Sequence, residues 1–232
     1  MPYDADLGIW IFPHDHLTIE NLPDGRSRRA AFTRQDISMV AGALFLARGF
    51  DATAITEVAR QARVGVQTVY YHYPTKGALL VGALDQAVGG LDRRVQHLPF
   101  EYLAWARGAR AESDLSRRLF LHVRGCADLL AAGAELTAML RAQAGIDPTL
   151  TEIVAGEDAR HRALHRALID SLGGDLSHLT TAEQATDMLG LVLGAESWNA
   201  LVGRAGWSRL AWARWAHRTV IAELLGPATG DI

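Results

Sequence analysis

Between Val64 and Lys76 the chain reads VGVQTVYYHYPTK, a run rich in rings and hydroxyls and free of carboxylates. Gln67, Thr68, Tyr70, Tyr71 and His72 each offer a hydrogen-bonding group beside apolar surface. That combination suits contact with the phosphates and base edges of a nucleic acid. An acid in the run would be repelled by phosphate, whereas Lys76 just beyond it would be attracted. Further along, His122 and Cys126 stand one helical turn apart, and Glu157, His161 and His165 recur every four residues. Imidazole, thiolate and carboxylate can all bind metals. The chain has no closed four-ligand spacing, so neither a metal nor another cofactor is expected. There is no Ser/His/Asp arrangement, Gly-rich phosphate loop or paired-carboxylate signature. No catalytic residue is therefore expected. Glu157 with His161 would be the general-base pair of an alternative helical enzyme, although i, i+4 pairs are common on solvated helix faces.

Charge is unevenly distributed. The 232 residues carry a net charge of −3. Residues 1–25 hold five acids and no Lys or Arg, while residues 26–76 hold eight bases against three acids. A localised positive patch is an electrostatic footprint for a polyanion, with a solvated charged face as the alternative. Hydrophobic content of 49% and charged content of 21% fit a core-forming chain. Cys126 is the single cysteine, which excludes an intrachain disulfide and a Cys-rich zinc site and suits a reducing cytoplasm. No apolar run approaches the ~18 residues needed to span a membrane. The cluster Leu7 to Phe12 lacks the basic flank of a signal peptide.

The elements that must position these groups all read as helices. Residues 1–25 lack helical period and read as an irregular acidic extension, either a solvated tail or a segment lying against the bases that follow. Ile37, Val40, Ala41, Leu44 and Phe45 form one apolar stripe, closed by Gly49. Thr53 is a plausible cap for a second helix with Ile55, Val58 and Ala59 inward. After the turn Ala62–Val66, a third helix begins near Gln67 and stops before Pro74. Val66, Val69 and Tyr73 face its core side, leaving Gln67, Thr68, Tyr70, Tyr71 and His72 outside. Two helices joined by a short turn form a helix-turn-helix, whose second helix enters a DNA major groove. Arg26, Arg28 and Arg29 are either an ordinary polar leader or a basic arm for the adjacent minor groove.

Residues 33–80, with GFDATAITEVARQARVGVQTVYYHYPTKGALL at their centre, resemble the DNA-binding region of the TetR family of transcriptional regulators. The matching features are Gly49-Phe50, Thr53, the Ile55/Val58/Ala59 core, the turn ending at Val64, and Thr68 to Tyr73 followed by Lys76-Gly77-Ala78-Leu79. The resemblance implies DNA contacts from Thr53, Thr56, Thr68, Tyr70, Tyr71, His72 and Lys76. Gln67 and Arg29 join them from the residue reading. Arg63 departs from the pattern by standing where the turn usually has Gly, and Val66 by standing where many members carry a polar base reader.

The resulting expectation is all-α: an acidic extension over 1–25, a three-helix helix-turn-helix DNA-binding domain over 26–80, and a larger helical ligand-binding and dimerisation domain over 81–232. In the last, Pro148 opens a helix reaching Leu172, Thr180 or Thr181 caps one reaching Val202, and Trp207–Leu225 forms another. Gly190 and Gly194, four apart, would allow close helix approach. The tryptophans and aliphatics of the final helix give surface for a four-helix dimer interface. A dimer would set two short helices ~34 Å apart on a palindromic operator. Candidate ligand contacts are Phe120, His122, Cys126, Met139, Glu196 and Trp198, because pockets are mostly apolar with few polar groups. The function expected is a ligand-responsive, sequence-specific DNA-binding regulator, a repressor released by a small apolar or amphipathic molecule. The alternatives are the helical enzyme and an interaction module without DNA binding.

Overall fold

The computed structural model describes residues 3–4, 9–10, 25–89, 101, 103–173 and 181–225. Helix α1 spans Gly25–Arg48, well ahead of the expected start at Ile37. Its first turns lack an apolar stripe but contain neither proline nor an internal glycine, so backbone propensity extends the helix where periodicity gives no signal. Arg26, Arg28 and Arg29 therefore belong to this helix and do not form a separate arm. Gly49, at φ 82°, closes α1 in the left-handed conformation that a Cβ disfavours.

Helix α2 covers Ile55–Gln61. Its N-cap residue is Ala54, so Thr53 is not the cap. Thr53 is buried, and its hydroxyl donates to the carbonyls of Gly49 (2.8 Å) and Leu44 (3.3 Å). The turn after α2 is a Schellman cap. The Val64 N–H reaches back to the Ala59 carbonyl at 3.0 Å and the Arg63 N–H to that of Arg60 at 3.3 Å. Arg63 sits at the left-handed position with φ 56°, the one non-glycine residue with positive φ among the described residues.

Helix α3 is Val66–His72 and α4 is Lys76–Gly89. Ile37, Ala41, Phe45, Val58, Val69, Tyr73, Leu79 and Leu80 form the inner surface of the first core, which also takes in Leu136, Leu140 and Leu150 from downstream helices. The Tyr73 hydroxyl donates to the Arg34 carbonyl at 3.2 Å, tying the end of α3 to α1.

The remaining described elements are α5 (Ala104–Ala111), α6 (Leu115–Ala144), α7 (Pro148–Leu172), α8 (Ala182–Val192), α9 (Ala195–Trp198), a π-helical segment (Asn199–Arg204) and α10 (Arg209–Leu225). Proline at the first position and Asp147 as cap start α7 where expected. Thr181 and Gln184 make a capping box for α8. That helix stops near Val192 instead of reaching Val202. At Gly194 the chain turns, and a Cβ there would lie 2.3 Å from the Gly190 carbonyl oxygen. Gly194 thus marks a break, whereas Gly190 has open space where its Cβ would be and meets no other described helix of its own chain there.

A second core joins α6, α7, α8 and α10 through Leu119, Val123, Leu164, Leu168, Leu189, Trp212 and Val220. Among the described residues the only strands are Tyr3–Asp4 and Ile9–Trp10, paired antiparallel with Tyr3 opposite Trp10. The irregular extension expected over 1–25 thus contains this small pairing. The rest of it, 1–2, 5–8 and 11–24, lies outside the described residues. No described helix is long and apolar enough to cross a membrane.

Candidate nucleic-acid interface and internal cavity

α3 is held by its inward residues and presents the others. Val69 and Tyr73 are buried, and Val66 is half-buried. On the opposite arc Tyr71 is 82% exposed and Tyr70 45%. Gln67 is exposed, and Thr68 and His72 are half-exposed. The Tyr71 and His72 rings meet edge-on at 5.1 Å. Thr56 at the start of α2 is exposed, as is Arg29 on α1. Thr53 does not join this face, because its buried hydroxyl is engaged by the end of α1. Lys76 is half-exposed, donates to the Asp51 carbonyl at 3.2 Å and lies 4.6 Å over the Phe50 ring. It braces the loop between α1 and α2, and an ammonium has donors beyond that one bond.

The acid on α2 is neutralised locally. Glu57 accepts hydrogen bonds from Arg60 (2.7 and 2.9 Å) and Gln61 (2.7 Å), with Arg48 at 3.9 Å. The bonds from Arg60 and then Gln61 hold its carboxyl down to about 2. This pairing leaves the helix-turn-helix without an uncompensated negative charge on α2.

A cavity of about 200 Å³ opens between α4, α6, α7, α8 and α9, lined by Leu84, Val88 and Leu130 on its apolar side. Its polar lining includes Arg141, Glu157, Asp158, His161, His165, Thr186 and Glu196. Arg141 bridges Asp158 and Glu196, the latter at 3.7 Å. Glu157, of the Glu157/His161 pair, forms an ion pair with Arg160. Burial, with Arg160 beside it, lowers the His161 pKa to about 4.

Of the six expected ligand contacts, only Glu196 lines this cavity. Phe120 is 44% exposed and faces the His217 ring at 5.5 Å. Met139 packs against the first core, and Trp198 is buried against Trp212 with ring centroids 5.0 Å apart. His122 and Cys126 are buried and do not line the cavity, whereas His165 does. Nε2 of His122 stands 3.1 Å from Nδ1 of His165. Burial, then Arg110, brings the His122 pKa down to about 3. Burial, then His122 and His161, puts His165 well below its ordinary value, and burial pushes the Cys126 thiol up. Because the sequence does not show that α6 packs on α7, His165, named there only in the Glu157/His161/His165 stripe, could not be placed beside Arg141. The Glu157/His161/His165 stripe was the available signal.

At the other end, α10 spends much of its apolar surface within its own chain. Trp212, Ala216, Val220 and Leu224 are buried, while Leu210 (59%), Trp207 (37%) and Leu191 of α8 (69%) remain exposed.

Residues 39–83 match the family described as bacterial regulatory proteins, tetR family. No curated protein matches the chain. A structure from Mesorhizobium loti assigned to the TetR family of transcriptional regulators is 20% identical, with a TM-score of 0.64 over 84% of this chain and 96% of its own. The regulator FadR of Bacillus subtilis, solved with stearoyl-CoA, is 14% identical, with a TM-score of 0.63 over 83% of this chain and 98% of its own. NalD of Pseudomonas aeruginosa, the secondary repressor of the MexAB-OprM multidrug efflux pump, is 20% identical, with a TM-score of 0.60 over 84% and 98%. The chain thus carries a TetR-type helix-turn-helix domain on the all-helical fold of TetR-family transcriptional regulators.

Proposed function

We propose that this chain is a ligand-responsive, sequence-specific DNA-binding transcriptional regulator, a non-enzymatic cytoplasmic repressor released from its operator by a small apolar or amphipathic molecule. The observation that carries the reading is the division of α3: Val69 and Tyr73 anchored inward, Tyr71 and Tyr70 held out to solvent beside Gln67. Rings kept exposed on a helix too short to need them for packing have an external partner. Gln67, Thr68, Tyr70, Tyr71 and His72 meet the major groove, with Thr56, Lys76 and Arg29 flanking them.

Two such helices reach successive grooves of a palindromic operator only in a dimer. Leu191, Leu210 and Trp207 supply apolar surface for a homodimer through α8 and α10. The effector enters the cavity between α4 and α7. At about 200 Å³ this is smaller than the ~300–1,000 Å³ of drug-sized sites, so it takes a compact molecule or the head of a longer one.

Fluorescence anisotropy with duplex DNA from upstream of the protein's own gene tests the reading. Binding is expected to weaken steeply with salt. Tyr71→Ala is expected to weaken it about ten-fold, equivalent to ~1.4 kcal/mol, without a change in thermal stability. Equal affinity for Tyr71→Ala and wild type would remove α3 as the reading element.

A further inference from the structure

The DNA-binding reading uses neither of the two buried imidazoles nor the one thiol of the second core. His122 and Cys126 lie on the same face of α6, one turn apart, and His165 faces them from α7. All three are at most 3% exposed. One ligand atom from each lies within 4.8 Å of the other two. We infer that His122, Cys126 and His165 form a binding site for a single thiophilic ion, Cu(I) or Zn(II), clamping α6 to α7.

The geometry is close to what such an ion needs. His122 Nε2 and His165 Nδ1 are 3.1 Å apart. Two nitrogens at that separation, each ~2.0–2.1 Å from one ion, subtend about 98° at it, within reach of tetrahedral or distorted trigonal coordination. A sulfur ~2.3 Å from the same ion stands about 3.6 Å from each nitrogen, so the widest present separation closes by about 1 Å. A rotation of the Cys126 side chain or a small approach of the two helices supplies that. As the metal–sulfur bond forms, the thiol proton leaves to solvent and the ring proton shared between the imidazoles moves to an outward nitrogen. A hydrogen bond between two neutral imidazoles explains the 3.1 Å contact alone. It does not explain why the chain's one cysteine completes a three-donor set around them.

Charge selects between the ions. The pocket around His122 contains the Trp105 ring edge-on at 5.8 Å, and the nearby charge acting on it is Arg110. Among the described residues no carboxylate acts on His122 or His165. Cu(I) with one thiolate is neutral as a unit, whereas Zn(II) with one thiolate keeps a positive charge in a buried site. Softness points the same way. His165 also lines the cavity, which offers Zn(II) a route to a fourth ligand.

The test uses the full chain, metal-free and anaerobic, titrated with Cu(I) or Zn(II) against a colorimetric chelator of each. One equivalent held against the chelator is expected, with Cu(I) held more tightly. X-ray absorption of the loaded wild-type protein is expected to show one sulfur and two imidazole nitrogens. Cys126→Ser and His165→Gln should each lose at least ten-fold in affinity, and Cys126→Ser should lose the sulfur signal. Failure to retain either ion would overturn the site. So would a first shell without sulfur, a result read on the wild type and independent of whether the variants fold. Tighter retention of Zn(II) than Cu(I) would overturn the charge argument for the ion. These outcomes do not depend on DNA binding.

Discussion

Arg63 occupies a position built for glycine, and replacing it separates backbone strain from side-chain function. Its φ of 56° places an L-residue in the left-handed region at the cap of α2. That conformation costs roughly 1–2 kcal/mol for a residue with a Cβ. Arg63→Gly removes the cost but gains unfolded-state freedom worth about 0.5–1 kcal/mol. The net expectation is a stabilisation of about 0.5–1 kcal/mol. Arg63→Ala removes the same guanidinium and keeps the Cβ, so it should gain nothing and fall about 1 kcal/mol below Arg63→Gly. In a chain of this size ~1 kcal/mol corresponds to about 2–4 °C in Tm. Thermal and urea unfolding of the three proteins measure the order. DNA affinity serves as the control, since any phosphate contact from the guanidinium is lost equally in both variants. If Arg63→Gly proved no more stable than Arg63→Ala, the Schellman geometry at Arg63 would be wrong.

Two further predictions follow from buried groups. In Gly82→Ala the added Cβ would lie 2.3 Å from the Tyr73 ring, which cannot withdraw without breaking its bond to Arg34. Overpacking of this kind costs about 1–3 kcal/mol, and a lower urea midpoint is expected; an unchanged midpoint would show that the ring is not wedged. In metal-free protein, His122 and His165 stay neutral when folded but protonate near 6.5 when unfolded. Their contribution is therefore fully present above that value and declines as pH falls through it, by about 1.4 kcal/mol per pH unit for each imidazole. A His122→Gln/His165→Gln variant should lose less stability between pH 7.5 and 5.5 than wild type, with His161 and Arg110 present in both; parallel profiles would contradict the burial argument.

What the sequence revealed and what it hid divide along physical lines. The limits of α3 were legible because Pro74 forbids helix before it and because Val69 and Tyr73 keep the core period. Pro148, Thr181 and Gly49 marked their helix ends by local chemistry alone. The start of α1 was hidden, since residues 26–36 have helix propensity without an apolar stripe. Thr53 misled because a threonine before a helix usually caps it. Here its hydroxyl is taken by the preceding helix, a tertiary fact. The break at Gly194 was not legible either, because an isolated Gly in an apolar helical pattern is usually tolerated. Phe120, Met139 and Trp198 satisfy the composition of a pocket but do not line the cavity between α4 and α7, because which side of a long helix faces an enclosed space depends on how α6 crosses α7.

Leu136 and Leu140 of α6 and Leu150 of α7 complete the interior beneath the helix-turn-helix. A fragment cut after α4 would leave that interior open to water, so the N-terminal part should not melt as an independent unit. Among the described residues, α3 and the helices that line the cavity are joined through this shared packing. Gly77, at the start of α4, rests against Leu150, where an added methyl would come within 3.1 Å of its side chain. A tilt of α7 would press on α4 through this contact, so under the proposed function the response to a bound molecule becomes a matter of leverage between the two helices.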